Sequence, residues 1–247
     1  MDHVPKEPSA DKILIGFQRQ NKGRESDGQT VYQRHLRRRV RIRQREGQRD
    51  QCQAERKDVL PQVQRSGQFD VVDDTIGGFN SFIRKEKESG KKTCVTLVLF
   101  DDEYHILYTR KPIDEVELLT DNEYFASGCT ALLDAVGRTI LSLDKEVSNK
   151  VMFVITTDGL ENSSMEFSRS DVKQLIEDHD WEFLFIGADI DSYAEAASLG
   201  IPRTRSANFT KSAAGLGALF TGARVFKKAY EEDDAEEMER GWKKDLE

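Results

Sequence analysis

Apolar material is scarce in this chain of 247 residues. Hydrophobic residues make up 37% of it, below the usual share for a globular protein, so part of the chain is expected to add little to a core. No apolar run approaches the roughly 18–20 residues that cross a bilayer as a helix. No apolar core follows Met1-Asp2-His3-Val4-Pro5-Lys6, so a signal peptide is not expected. The three cysteines, Cys52, Cys94 and Cys129, are an odd number without metal-ligand spacing. A disulfide framework is therefore not expected, and a reducing, cytoplasmic setting fits best. Histidine is sparse: His3, His35, His105 and His179 are scattered and pair with nothing at ligand or triad spacing. The usual enzyme signatures are missing too. No G-x-G-x-x-G follows a strand, Gly215-x-Gly217 falls inside a helical stretch, and Gly90-Lys91-Lys92-Thr93 precedes a strand, the wrong side for a phosphate loop. No G-x-S-x-G nucleophile elbow occurs either. Enzyme function is therefore not expected.

What the chain does have is a strong charge asymmetry. Residues 1–69 carry 16 Lys+Arg against 9 Asp+Glu, a net of +7, whereas the remainder carries a net of −15, giving −8 in total. The acidic portion argues against a nucleic-acid partner for the globular part. Residues 1–58 do not read as a folded domain: islands such as Ile13-Leu14-Ile15 are followed by no sustained period of two or 3.6. Eleven of the twelve Gln lie before residue 70, and arginine culminates in Arg37-Arg38-Arg39-Val40-Arg41-Ile42-Arg43. Three explanations compete: a basic disordered arm, a solvated tail, or a segment translated from an altered reading frame. The foreign composition favours the third.

From Val59 the pattern becomes orderly. Val72, Ile76, Phe79 and Ile83 predict a helix over residues 71–88, with Asp73 and Asp74 in its first turn, Lys85 and Lys87 in its last, and Gly90 placed to stop it. Gly77-Gly78 within it suggests a helix backbone lying close against a sheet. Thr93–Phe100 and Glu103–Arg110 predict an antiparallel hairpin around Asp101-Asp102. A helix starting at Thr130 carries Leu133, Val136, Ile140 and Leu143. Val151–Ile155 is a buried strand ending in Thr156-Thr157-Asp158-Gly159. A helix over 170–178, a strand over 181–186 closed by Gly187-Ala188-Asp189, a helix over 190–200, a short edge strand over 203–209 and a long helix over 211–230 follow. The closing 231–247 reads as an acidic, frayed extension. The expected fold is α/β and Rossmann-like, with a mostly parallel central sheet, one antiparallel edge hairpin and helices on both faces. The domain is drawn at 59–230.

Chemistry is expected where buried strands end, because ligands of open α/β sheets bind beyond the carboxyl ends of the strands. Ser66, Thr130 and Asp158 offer two hydroxyls and a carboxylate there. With waters completing the shell, such oxygens suit a hard cation such as Mg²⁺ or Mn²⁺.

These stretches resemble the von Willebrand factor type A (VWA) domain with its metal-ion-dependent adhesion site, in the stand-alone bacterial form. Thr157-Asp158-Gly159 matches the family's third motif, Gly128-Cys129-Thr130-Ala131-Leu132-Leu133-Asp134-Ala135 its second, and Asp74-Thr75-Ile76-Gly77-Gly78-Phe79-Asn80 its first helix. The resemblance runs from about Val59 to Tyr230. It implies a metal held by Ser66, Thr130 and Asp158, and an unidentified protein partner bound through that metal, with no membrane involvement. The first motif departs from the family's Asp-x-Ser-x-Ser: in Gln64-Arg65-Ser66-Gly67-Gln68, glutamines replace the Asp and the last Ser. The site loses a formal charge and gains bulk, so weak or absent metal affinity is expected. Two other functions compete with this binding module. One is a Mg²⁺-dependent phosphotransfer or hydrolytic enzyme using Asp158, Asp189 and Asp101 or Asp102, and the other a metal-free scaffold remnant.

Overall fold

The computed structural model describes residues 13–19, 71–123, 129–144 and 150–246. Six strands form one sheet: β1 (Ile13–Arg19), β2 (Thr93–Phe100), β3 (Tyr104–Pro112), β4 (Val151–Thr157), β5 (Glu182–Gly187) and β6 (Ser206–Asn208), in the order β3-β2-β1-β4-β5-β6. β4 pairs parallel with β5, and β5 with β6. β1 is antiparallel to both β2 and β4, and β3 is antiparallel to β2. Four of the six strands, β2, β4, β5 and β6, therefore point the same way. The fold is the expected Rossmann-like α/β arrangement with its edge hairpin, plus one further reversed strand at its centre.

That central strand comes from the stretch in which the sequence shows no sustained period. Ile15 is buried at 3% exposure, and the strand pairs along its whole length with β2. An island of three apolar residues is too short to display alternation, yet it completes the hydrogen bonding of two exposed strand edges. Residues 59–70, where the domain is drawn to begin, lie outside the described residues.

Helices cover both faces. Against one pack α1 (Val71–Glu88) and α5 (Ala213–Glu232); against the other pack α2 (Leu132–Leu143), α3 (Arg169–Glu177) and α4 (Ser192–Ser198). β2 and β4 are buried at every position, as continuous apolar runs between two helical layers should be. α1 has the predicted bounds, and Gly90, at φ +67°, takes the left-handed turn behind it. The glycine pair in α1 serves a contact different from the one expected. A Cβ on Gly78 would stand 2.5 Å from Cδ2 of Phe220, so the close approach is to α5 and its ring, not to the sheet.

The hairpin turn spans three residues, because Phe100 pairs with Tyr104 and the Asp101 carboxylate accepts the Glu103 N–H at 2.6 Å. The tail also differs from the frayed extension expected. Beyond α6 (Ala235–Glu239), Trp242 is 2% exposed, lies edge-on to Phe226 with ring centroids 5.8 Å apart, and donates its indole N–H to the Thr204 carbonyl at 3.1 Å. The apolar area of one indole is enough to dock a segment that is otherwise mostly charged. Among the described residues, no helix is long and apolar enough to cross a membrane.

Candidate functional site

Three successive parallel strands end on the same edge of the sheet, and each delivers a charged residue there. Thr157 is the last residue of β4 and pairs with Gly187, the last of β5. Asp158 follows the first, and Asp189 lies two residues beyond the second. Gly187 pairs in turn with Asn208, the end of β6, and Lys211 follows in the short turn before α5. The turn is closed by Ser212, whose hydroxyl accepts the Gly215 N–H at 3.1 Å and caps the helix. Gly215 is required there: a Cβ would stand 2.1 Å from the Thr210 carbonyl oxygen.

Lys211 Nζ lies 3.0 Å from Asp158 Oδ2 and 3.0 Å from Asp189 Oδ2. The two carboxylates differ in setting. The Asp158 side chain is 1% exposed, whereas that of Asp189 is 67% exposed. Asp189 has φ +55°, a left-handed conformation that aspartate tolerates better than most residues. Burial works against the Lys211 ammonium, but hydrogen bonds to Asp158 and Asp189, with their charges, outweigh it and raise its pKa above the ordinary lysine value. The group is therefore a fixed cation and not an amine base. Nearby, Ser192 Oγ and Asn208 Oδ1 are buried without a hydrogen-bond partner among the described residues.

The loop after β4 builds the other wall. Thr130 is buried at 1% exposure, two residues before α2, which starts at Leu132 behind an Ala131 N-cap and not at Thr130 as expected. Its N–H donates to Asn162 Oδ1 at 2.8 Å, and its carbonyl accepts the N–H groups of Asn162 and Ser163. α2 has no side-chain cap of its own. Its first N–H groups are met from across the fold, Leu133 by Glu161 Oε2 at 3.0 Å and Asp134 by Ser164 Oγ at 3.1 Å. Asp134 returns the contact, accepting the N–H groups of Met165, Glu166 and Phe167. Burial pushes the Asp134 carboxyl up, against those three donors. The hairpin loop joins the same edge through the Asp101 carbonyl, which accepts the Ala131 N–H at 2.7 Å. Two large apolar side chains stand exposed on the post-β4 loop: Leu160 at 58% and Met165 at 49%.

Of the expected metal ligands, the structure thus brings Thr130 against the loop that begins with Asp158. Ser66 lies outside the described residues, as do Gln64 and Gln68. A divalent ion needs several oxygens converging on one point. Among the described residues no group of three or more Asp, Glu, His or Cys side chains converges in that way, and the Asp158 carboxylate already faces an ammonium. Lys211 itself was missed from sequence. Its signal is positional, the charged residue just after a short parallel strand, but β6 is only three residues long. Cys94 is buried, while Cys129 is disulfide-bonded, which neither the count nor the spacing of the cysteines suggested.

No family model, curated protein or solved structure matches the chain.

Proposed function

We propose that this chain is a protein-binding module of the VWA type, engaging its partner with the strand-end edge built around Asp158. The observation that carries this reading is the convergence of Asp158, Asp189 and Lys211 from three consecutive parallel strands, beside a braced loop that exposes Leu160 and Met165. Exposed apolar side chains bordered by charged groups are the composition of a protein interface. The bracing supports it further. Glu161, Asn162 and Ser164 tie the loop to α2, so the exposed side chains are presented from a rigid support. The charge state of Lys211 speaks against the hydrolytic alternative, because an ammonium held by two carboxylates is neither nucleophile nor base.

The test is retention of a partner protein from a cell extract on the immobilised full chain. Leu160→Glu with Met165→Glu abolishes retention, whereas Ile106→Glu, a comparably exposed residue on edge strand β3, leaves it intact. Equal retention by all three chains overturns the proposal.

A further inference from the structure

We infer that Lys211 is the resident cation of this edge, an ammonium supplied by the chain itself where the resemblance calls for a divalent ion. The inference rests on the proposed binding edge and deepens it by naming the positive charge that the edge uses.

Three observations carry it. The Asp158 side chain is almost wholly buried, and a carboxylate in that setting demands a nearby positive charge. Lys211 Nζ meets it at 3.0 Å, a hydrogen-bonding ion pair and not a distant charge. The ammonium then reaches the neighbouring strand end, Asp189, at the same distance, so one cation bridges two carboxylates as a metal would. Position adds to this. Lys211 sits between β6 and the capped start of α5, so its backbone is fixed at both sides and its stem need only span the strand ends. An intramolecular cation has no dissociation into bulk solvent, and a metal competing for Asp158 must first displace it. The bridged set Asp158–Lys211–Asp189 carries one net negative charge. The exposed Asp189 is the carboxylate that can exchange, leaving the ammonium for an acidic group of a partner while Asp158 stays paired.

Removing the ammonium while keeping the stem should therefore create what the parent lacks. The experiment is calorimetric titration of Mn²⁺ into the full chain and into Lys211→Met, with a parallel thermal melt of each. The parent is expected to give no heat of binding at millimolar Mn²⁺ and no change in Tm. Lys211→Met is expected to bind at least about tenfold more tightly and to gain Tm on adding Mn²⁺, because binding to the folded state alone stabilises it. Equal binding by parent and variant overturns the inference, and so does a folded Lys211→Met that binds nothing. Should Lys211→Met fail to fold, the intact chain still decides the matter. Its Lys211 ammonium proton signals stay sharp in the presence of Mn²⁺ if the lysine holds the site, and broaden if the metal enters beside Asp158, which contradicts the inference. Metal binding by the parent would leave the Leu160 and Met165 retention test standing, and failure of that test would leave the Mn²⁺ result readable, so the two failures are distinguishable.

Discussion

Lys211 Nζ and Asp158 Oδ2 lie 3.0 Å apart at the end of the most deeply buried parallel strand, although the two residues belong to different strand–helix units. The pair links β4 to the turn before α5, and through Asp189 it links both to β5. Truncating Lys211 removes the ammonium from a buried carboxylate. Lys211→Ala is expected to cost about 3–5 kcal/mol in metal-free buffer, the usual penalty for breaking a buried pair from one side. Urea unfolding measures it, and a loss below about 1 kcal/mol would mean that solvent already screens Asp158.

The two neighbouring glycines of α1 should respond in opposite directions. Gly78→Ala drives a Cβ into the Phe220 ring, which is itself held against Phe79 and Phe82, and is expected to cost about 1–3 kcal/mol. Gly77 meets nothing within 4 Å, so Gly77→Ala is expected to gain about 0.5–1 kcal/mol from helix propensity. The unfolding midpoints of the two variants, compared with the parent, check the contrast.

Trp242 gives the clearest test of the tail. Its ring is buried against Phe226, and its N–H is paired with Thr204. Trp242→Ala is expected to cost about 3–5 kcal/mol in denaturant unfolding. A chain ending at Tyr230, the boundary drawn from sequence, should lose at least as much.

How much of this was legible in the sequence follows from the kind of signal each element carries. α1 was readable to its end residues because its apolar stripe, its charged ends and Gly90 agree. β2 and β4 were readable because strands buried on both faces are continuous apolar runs. β1 was not, since its apolar island is too short to display a repeating period. Asp158 could be found from β4 alone, but Lys211 could not, because its meaning depends on which strand ends lie side by side. Trp242 was hidden in a mostly charged closing segment whose average masked the side chains able to dock. The trans-capping of α2 by Glu161 and Ser164 was equally out of reach, since a cap supplied from another loop leaves no mark at the helix start.

That capping gives a local prediction. Glu161→Ala removes the acceptor used by Leu133, Ser163 and Ser164, and is expected to cost about 1–2 kcal/mol, as loss of a helix cap does. Hydrogen exchange should speed up at the Leu133 amide and across the loop after β4, while β2 stays protected.

Stability at high pH should report on Tyr230. Burial, helped by Glu182, Asp180 and Asp233, pushes its phenol from 10.0 to about 12. The unfolded chain releases this proton near its ordinary value while the folded chain keeps it, so stability falls as pH rises from about 10 towards 12. Tyr230→Phe should flatten that fall. Ultraviolet titration of tyrosinate, parent against variant, shows whether the late-ionising phenol is this one.

The most direct measurement is partner retention by the full chain in Mg²⁺ and in EDTA. With Lys211 as the cation of the edge, retention is the same in both buffers and is lost when Leu160 and Met165 are made acidic. Retention that disappears in EDTA and returns with Mg²⁺ would contradict the account, because the partner would then be held through a metal that Lys211 is argued to replace.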